Sequence, residues 1–150
     1  MYRVLITDDE KIEREGIKFL LAQEEGEYEI HEAANGRQAL NVLRSEEIDF
    51  LLTDIKMPHM DGLELASKVR EEYPNLPIVI FSGYSDFAFA QEAMRYGVKD
   101  YVLKPVDPDT FHTTIGKVKQ SFKVSGPRSR RKRKGRIFFF SIFFRLTCIP

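Results

Sequence analysis

Phe50-Leu51-Leu52-Thr53-Asp54-Ile55-Lys56-Met57-Pro58 is an apolar run that ends in one carboxylate and is closed off by a proline. A run this short, bounded by turn signals, reads as a strand buried on both faces. Asp54 then stands at the carboxyl end of that strand. In an open parallel sheet, this is the edge where ligands and chemistry collect. A carboxylate in that position is a candidate nucleophile for a phosphoryl group.

The same unit repeats on either side. Val4-Leu5-Ile6 stops at Thr7-Asp8-Asp9-Glu10, a first strand ending in acids, and Ile12, Gly16, Phe19 and Leu20 then recur at helical spacing. Tyr28 to Ala33 reads as a second strand, Asn35-Gly36 as a turn, and Ala39, Val42 and Leu43 mark a second helix. Beyond Asp54, Asp61-Gly62 opens a third helix with Gly62, Leu65, Ala66, Val69 and Tyr73 on one face. Tyr73-Pro74 ends it, because a residue before proline avoids the helical region. Pro77 to Phe81 is a fourth strand, followed by a helix marked by Ala90, Ala93 and Met94 and stopped at Gly97. Asp100 to Leu103 is a fifth strand, and Phe111, Ile115, Val118 and Phe122 define a fifth helix. Such alternation predicts an α/β domain, a parallel sheet with helices on both faces and right-handed crossovers.

Composition separates a body from a tail. The chain has 150 residues with 23 basic and 23 acidic side chains, yet eight of the basic ones and no acid lie from Ser125 onward. Up to Val124 the remaining 15 basic residues face 23 acids, a net charge of −8. We therefore expect one domain over residues 1–122 and a basic, aromatic tail over 123–150, with Arg128 to Arg136 followed by Ile137 to Phe144. The tail reads as a truncation, a frameshift or a cloning scar in place of a natural linker, poorly ordered. A basic cluster before aromatics also suits an anionic membrane surface or nucleic acid. One cysteine, Cys148, forms no internal disulfide. No apolar run reaches the roughly 18 residues of a membrane span, and no secretory signal opens the chain, so the expected location is the cytoplasm.

If the five strands are parallel, Asp8, Asp9, Asp54, Ser82 and Lys104 meet at one edge. Clustered carboxylates raise one another's pKa and destabilise a fold. A hard divalent cation makes them tolerable, and magnesium favours few protein carboxylates plus phosphate oxygens. Asp9 and Asp54 are candidates for direct ligands, with Asp8 reaching the ion through water. Lys104, the Ser82 hydroxyl and backbone N–H groups near Met57 would then meet the phosphate oxygens. A flavin- or nucleotide-binding fold is opposed by the first turn, which is acidic where such folds place glycines.

Leu5-Ile6-Thr7-Asp8-Asp9-Glu10, Asp54-Ile55-Lys56-Met57-Pro58 with Asp61-Gly62, Phe81-Ser82-Gly83 and Tyr101-Val102-Leu103-Lys104-Pro105 together resemble the receiver domain of bacterial two-component response regulators. The resemblance covers residues 1 to 122. It implies a flavodoxin-like five-stranded parallel sheet in the order 2-1-3-4-5. It also implies that Asp54 is the phospho-acceptor and that Asp8, Asp9, Asp54 and the backbone carbonyl of Lys56 hold Mg2+. Ser82 and Lys104 would sense the phosphoryl group, and Tyr101 would be the aromatic that rotates inward. The Lys104–Pro105 peptide is expected to be cis.

The implied donor is a sensor histidine kinase. The implied response repacks the face of the fourth helix, fifth strand and fifth helix, which would meet a second receiver or an output domain. Phe87, Phe89, Tyr96 and Phe111 lie near that face. Ser82-Gly83-Tyr84-Ser85-Asp86-Phe87-Ala88-Phe89-Ala90 is similar to a branch fused to an AraC-type output domain. DNA contact and transcription regulation are thus expected only through an output domain absent from this chain. Lys56 and Tyr84 match positions that tune hydrolysis of the aspartyl phosphate, and neither is an obvious water activator. We expect a switch with slow self-dephosphorylation rather than an enzyme. The alternative is a magnesium-dependent phosphatase with Asp54 as nucleophile, but the general acid expected two residues on is Lys56. His31, His59 and His112 show no metal-site spacing and read as surface or half-buried residues.

Overall fold

In a computed structural model, which describes residues 1–83, 85 and 87–125, each apolar run becomes a strand and each periodic stretch a helix. The order is β1 (Tyr2–Thr7), α1 (Lys11–Ala22), β2 (Tyr28–Ala33), α2 (Gly36–Ser45), β3 (Phe50–Asp54), α3 (Gly62–Glu72), β4 (Ile78–Ser82), α4 (Phe87–Arg95), β5 (Asp100–Leu103) and α5 (Pro108–Ser125). The strands form one parallel sheet in the order β2-β1-β3-β4-β5. Tyr84, Asp86 and the tail from 126 on lie outside the described residues, so the expectations placed on them are not addressed by the fold. No helix among the described residues is long and apolar enough to cross a membrane.

Side chains of a strand alternate between faces, and β3 shows what this does at the centre of the sheet. Phe50 and Leu52 join Val4, Ile6, Val79 and Phe81 in a core closed by Ile17 and Leu21 of α1 and Phe111, Ile115 and Val118 of α5. Leu51 faces the other way, with Leu5, Ile78 and Ile80, against Leu40 and Leu43 of α2, Leu65 and Val69 of α3 and Ala93 of α4. Both faces of β3 are therefore dry, which is why its sequence is a continuous apolar run and not an alternating one.

Local chemistry sets the element ends. The side chains of Asn35 and Asp61 accept hydrogen bonds from the N–H groups of Gln38 (2.9 Å) and Glu64 (2.8 Å), capping α2 and α3. Gly97 follows α4 at φ +69°, a left-handed conformation that suits a residue without Cβ. The Arg70 guanidinium reaches carbonyls beyond the ends of both α3 and α4. Its Nε donates to Tyr96 O at 2.7 Å, and its terminal nitrogens donate to Tyr73 O, Pro74 O and Gly97 O.

Several expectations shift. The fourth strand runs from Ile78 to Ser82 rather than from Pro77 to Phe81, although the Pro77 carbonyl still accepts from Leu51 N–H at 3.0 Å. The buried face of α1 is Ile17 and Leu21, while Ile12 (77% exposed) and Phe19 (68% exposed) point to solvent. Met94 is also exposed, leaving Ala93 as the buried residue of α4. Phe111 is wholly core and so takes no part in an outer face.

Candidate functional site

The site follows from the register of the central strands. Thr7 of β1 lies opposite Thr53 of β3, so the next residues, Asp8 and Asp54, leave the sheet side by side. Carboxylate oxygens of Asp8, Asp9 and Asp54 all lie within 4.8 Å of one another. Asp8 is buried, Asp54 half-buried and Asp9 exposed. Asp8 Oδ1 accepts from Glu10 N–H at 3.0 Å, and Asp54 Oδ1 accepts from Ile55 N–H at 2.8 Å.

Lys104 enters from β5. Leu103 pairs with Ser82, and Lys104 N–H donates to Ser82 O at 2.7 Å. Its Nζ then sits 3.0 Å from Asp8 Oδ2, 3.6 Å from Asp54 Oδ1 and 3.5 Å from Glu13 Oε2. The Lys104–Pro105 peptide is cis, as expected.

Electrostatics at this rim are tense. Burial pushes the Asp54 carboxyl up to about 6 from an ordinary 3.8; Lys104 and the Ile55 N–H oppose the rise, while Asp8 and Asp9 add to it. Burial pulls the Lys104 ammonium down, but Asp54, Asp8 and Glu13 outweigh it, so its pKa is raised. Lys104 pairs with Asp8 and Asp54 of the three aspartates, leaving a group of hard oxygen donors with excess negative charge. That donor set fits a hard divalent cation such as magnesium.

The other sequence candidates spread around this centre. Ser82 ends β4, fully buried, one residue beyond Phe81, which pairs with Asp54. Tyr101 lies opposite Ile80 on β5, half-buried against the core under α2, α3 and α4. Lys56 occupies the loop after β3, exposed, with its Nζ 4.9 Å above the ring of Phe89 on α4. Exposed His59 (φ 71°) is in the same loop, half-buried His31 pairs with Glu29 at 2.9 Å, and exposed His112 pairs with Glu24 at 3.0 Å.

Sequence reasoning named neither Glu13 nor Arg14 and gave Gly62 no part in shaping the rim. Glu13 adds a carboxylate beside Lys104. Arg14 donates to the backbone carbonyl of Asp8 at 2.7 Å. Gly62 donates its N–H to Ile55 O at 2.7 Å, and a Cβ at that position would overlap the carbonyl oxygen of Asp54. The Asp61-Gly62 pair signalled a helix start, but nothing local signalled how closely α3 approaches β3.

A family model described as the response regulator receiver domain matches residues 4–116. The chain is 37% identical over 119 residues to the uncharacterized transcriptional regulatory protein YesN of Bacillus subtilis, covering 79% of this chain and 32% of that protein. It is 33% identical over 121 residues to the transcriptional regulatory protein HptR of Staphylococcus aureus, covering 79% and 46%. The chain thus spans only 32% to 46% of the length of these curated relatives. Among solved structures, the REC domain of AraT, a response regulator from Geobacillus stearothermophilus, is 40% identical with a TM-score of 0.74, covering 83% of this chain and 97% of that one. A response regulator receiver domain protein from Clostridium thermocellum is 27% identical with a TM-score of 0.75, covering 83% and 98%. With the five-stranded order and the acidic rim already in place, the chain belongs to the family of response regulator receiver domains.

Proposed function

We propose that Asp54 accepts a phosphoryl group from the phosphohistidine of a sensor kinase, and that the domain is the controllable part of a transcription regulator. The observation that carries this reading is the Lys104 ammonium, which sits 3.0 Å from Asp8 and 3.6 Å from Asp54 at the rim where the three acids converge. A carboxylate oxygen of Asp54 forms the new bond to phosphorus while the phosphorus–nitrogen bond of the donor breaks and its electron pair leaves with the imidazole. With its pKa near 6, Asp54 is mostly ionised at neutral pH and available as the nucleophile. Asp8, Asp9, Asp54 and the Lys56 carbonyl would hold Mg2+, which offsets the negative charge of the carboxylate and the phosphoryl oxygens.

Lys104 gains stronger acceptors once phosphoryl oxygens are present, so its hold on Asp8 weakens as it turns to them. Ser82 and Tyr101 respond, and the population moves toward a state with a repacked α4, β5 and α5 face. Phe87 and Leu103 are already exposed on that side, available to a second receiver or an output domain. Lys56 stands where a phosphatase would carry its acid, and its ammonium lies over Phe89, so the phosphatase reading lacks a carboxyl group at that position to protonate the leaving group.

The test is intact mass after treatment with acetyl phosphate. The unaltered chain should gain one phosphoryl group with Mg2+ and none with chelator, and Asp54→Ala should gain none. Labelling of Asp54→Ala at the unaltered level would overturn the assignment.

A further inference from the structure

Arg14 stands outside the group of acids, yet its guanidinium is mostly buried, with 16% of the side chain exposed. One terminal nitrogen donates to Asp8 O at 2.7 Å, and Nε donates to Glu32 Oε1 on β2 at 2.9 Å. The other carboxylate oxygen of Glu32 takes Lys18 Nζ at 2.8 Å, so Glu32 is held from two sides. Asp8 N–H donates to Ala33 O at 3.1 Å. Both backbone groups of Asp8 are therefore engaged. The carbonyl that Arg14 grips belongs to the planar peptide joining Asp8 to Asp9, so fixing it orients the two acids together. Glu10, the N-cap of α1, makes no side-chain capping bond, and its N–H donates to Asp8 Oδ1, which holds the side chain and leaves the peptide to Arg14.

We propose that Arg14, braced by Glu32, is a positioning residue that sets the Asp8–Asp9 turn for the cation. The inference rests on the magnesium reading above. A planar fork that serves a carboxylate and a carbonyl at once has no equivalent in lysine. Partners one step behind a metal's ligands tune its affinity by about ten- to a hundredfold. The sign separates this role from plain electrostatics. Removing a positive charge near the acids should by itself tighten Mg2+ binding, whereas releasing the turn should weaken it.

The experiment is a Mg2+ titration of the full chain followed by amide chemical shifts, with thermal melting in chelator as the control for folding. Arg14→Met should raise the Kd for Mg2+ about ten- to a hundredfold in folded protein. Arg14→Lys should recover only part of the loss. Arg14→Lys keeps the charge but not the fork, so its Kd should still exceed that of the unaltered chain, and it carries the test if Arg14→Met does not fold. Unchanged or tighter Mg2+ binding in the folded variants, with the unaltered chain binding normally, would overturn the role of Arg14 alone. Failure of the unaltered chain to bind Mg2+ would overturn the metal reading and this inference with it.

Discussion

Asp54→Asn should make the metal-free protein more stable at neutral pH. The carboxyl has an ordinary value of 3.8 and is pushed up to about 6 in the fold. Between those two values the folded chain holds a proton that the unfolded chain has released. Stability therefore falls as pH rises from about 4 to about 6, and the full penalty remains above that. At about 1.4 kcal/mol per pH unit, the gap sets a ceiling of about 3 kcal/mol. The side chain keeps 14% of its exposure, and solvent screens part of the cost. The expected gain at pH 7.5 is thus about 1–2 kcal/mol. Asparagine retains an oxygen for the Ile55 N–H, and Lys104 keeps its contact with Asp8, so no donor is orphaned. The assay is urea unfolding followed by far-ultraviolet circular dichroism in chelator, from pH 4 to pH 8. The variant should match the unaltered chain near pH 4 and pull ahead as pH rises. Equal stability at pH 7.5, or the same advantage at both ends of the range, would refute the reasoning.

Saturating Mg2+ should reverse this order. At about a hundred times Kd it adds about 2.7 kcal/mol to the unaltered chain, most of which Asp54→Asn should lose, as melting with and without the ion will show. Lys104→Met leaves the acids without their ammonium and should cost about 1–3 kcal/mol near pH 7.5 and much less near pH 4, while carboxyl NMR should find Asp54 titrating above about 6. Gly62→Ala should cost about 1–3 kcal/mol in urea unfolding and depress acetyl phosphate labelling, because the new methyl collides with Asp54 O. Arg70→Met removes the donor to carbonyls beyond the ends of two helices and should cost about 1.5–3 kcal/mol, with faster amide exchange in residues 96 to 98.

The sheet was legible because parallel strands covered on both faces are written as unbroken apolar runs, and β3 and β4 are such runs. The meeting of Asp8, Asp9, Asp54 and Lys104 was legible for a topological reason, since parallel strands deliver their carboxyl ends to one edge. The orientation of α1 was not. That helix carries two apolar stripes, Ile17 with Leu21 and Ile12 with Phe19, and periodicity alone does not say which one the sheet takes. The choice is made by the adjoining α5, whose Ile115 and Val118 share a core with Ile17 and Leu21. Arg14, Glu13 and the close seating of Gly62 escaped for a related cause. Each acts through an approach between separate elements, and a linear pattern records only the residue type.

The tight seating of Gly62 against β3 has a mechanical corollary. The start of α3 and the end of β3 are locked as one block, with no room for even a methyl group between them. Asp54 is mounted on that block. If Asp54 takes the phosphoryl group as proposed, the adjustment that follows would fall on the less firmly seated parts, α4 with its one buried residue and the four-residue edge strand β5. On that proposal the acid would be a fixed mount, and the surface free to move would lie on the side away from β1.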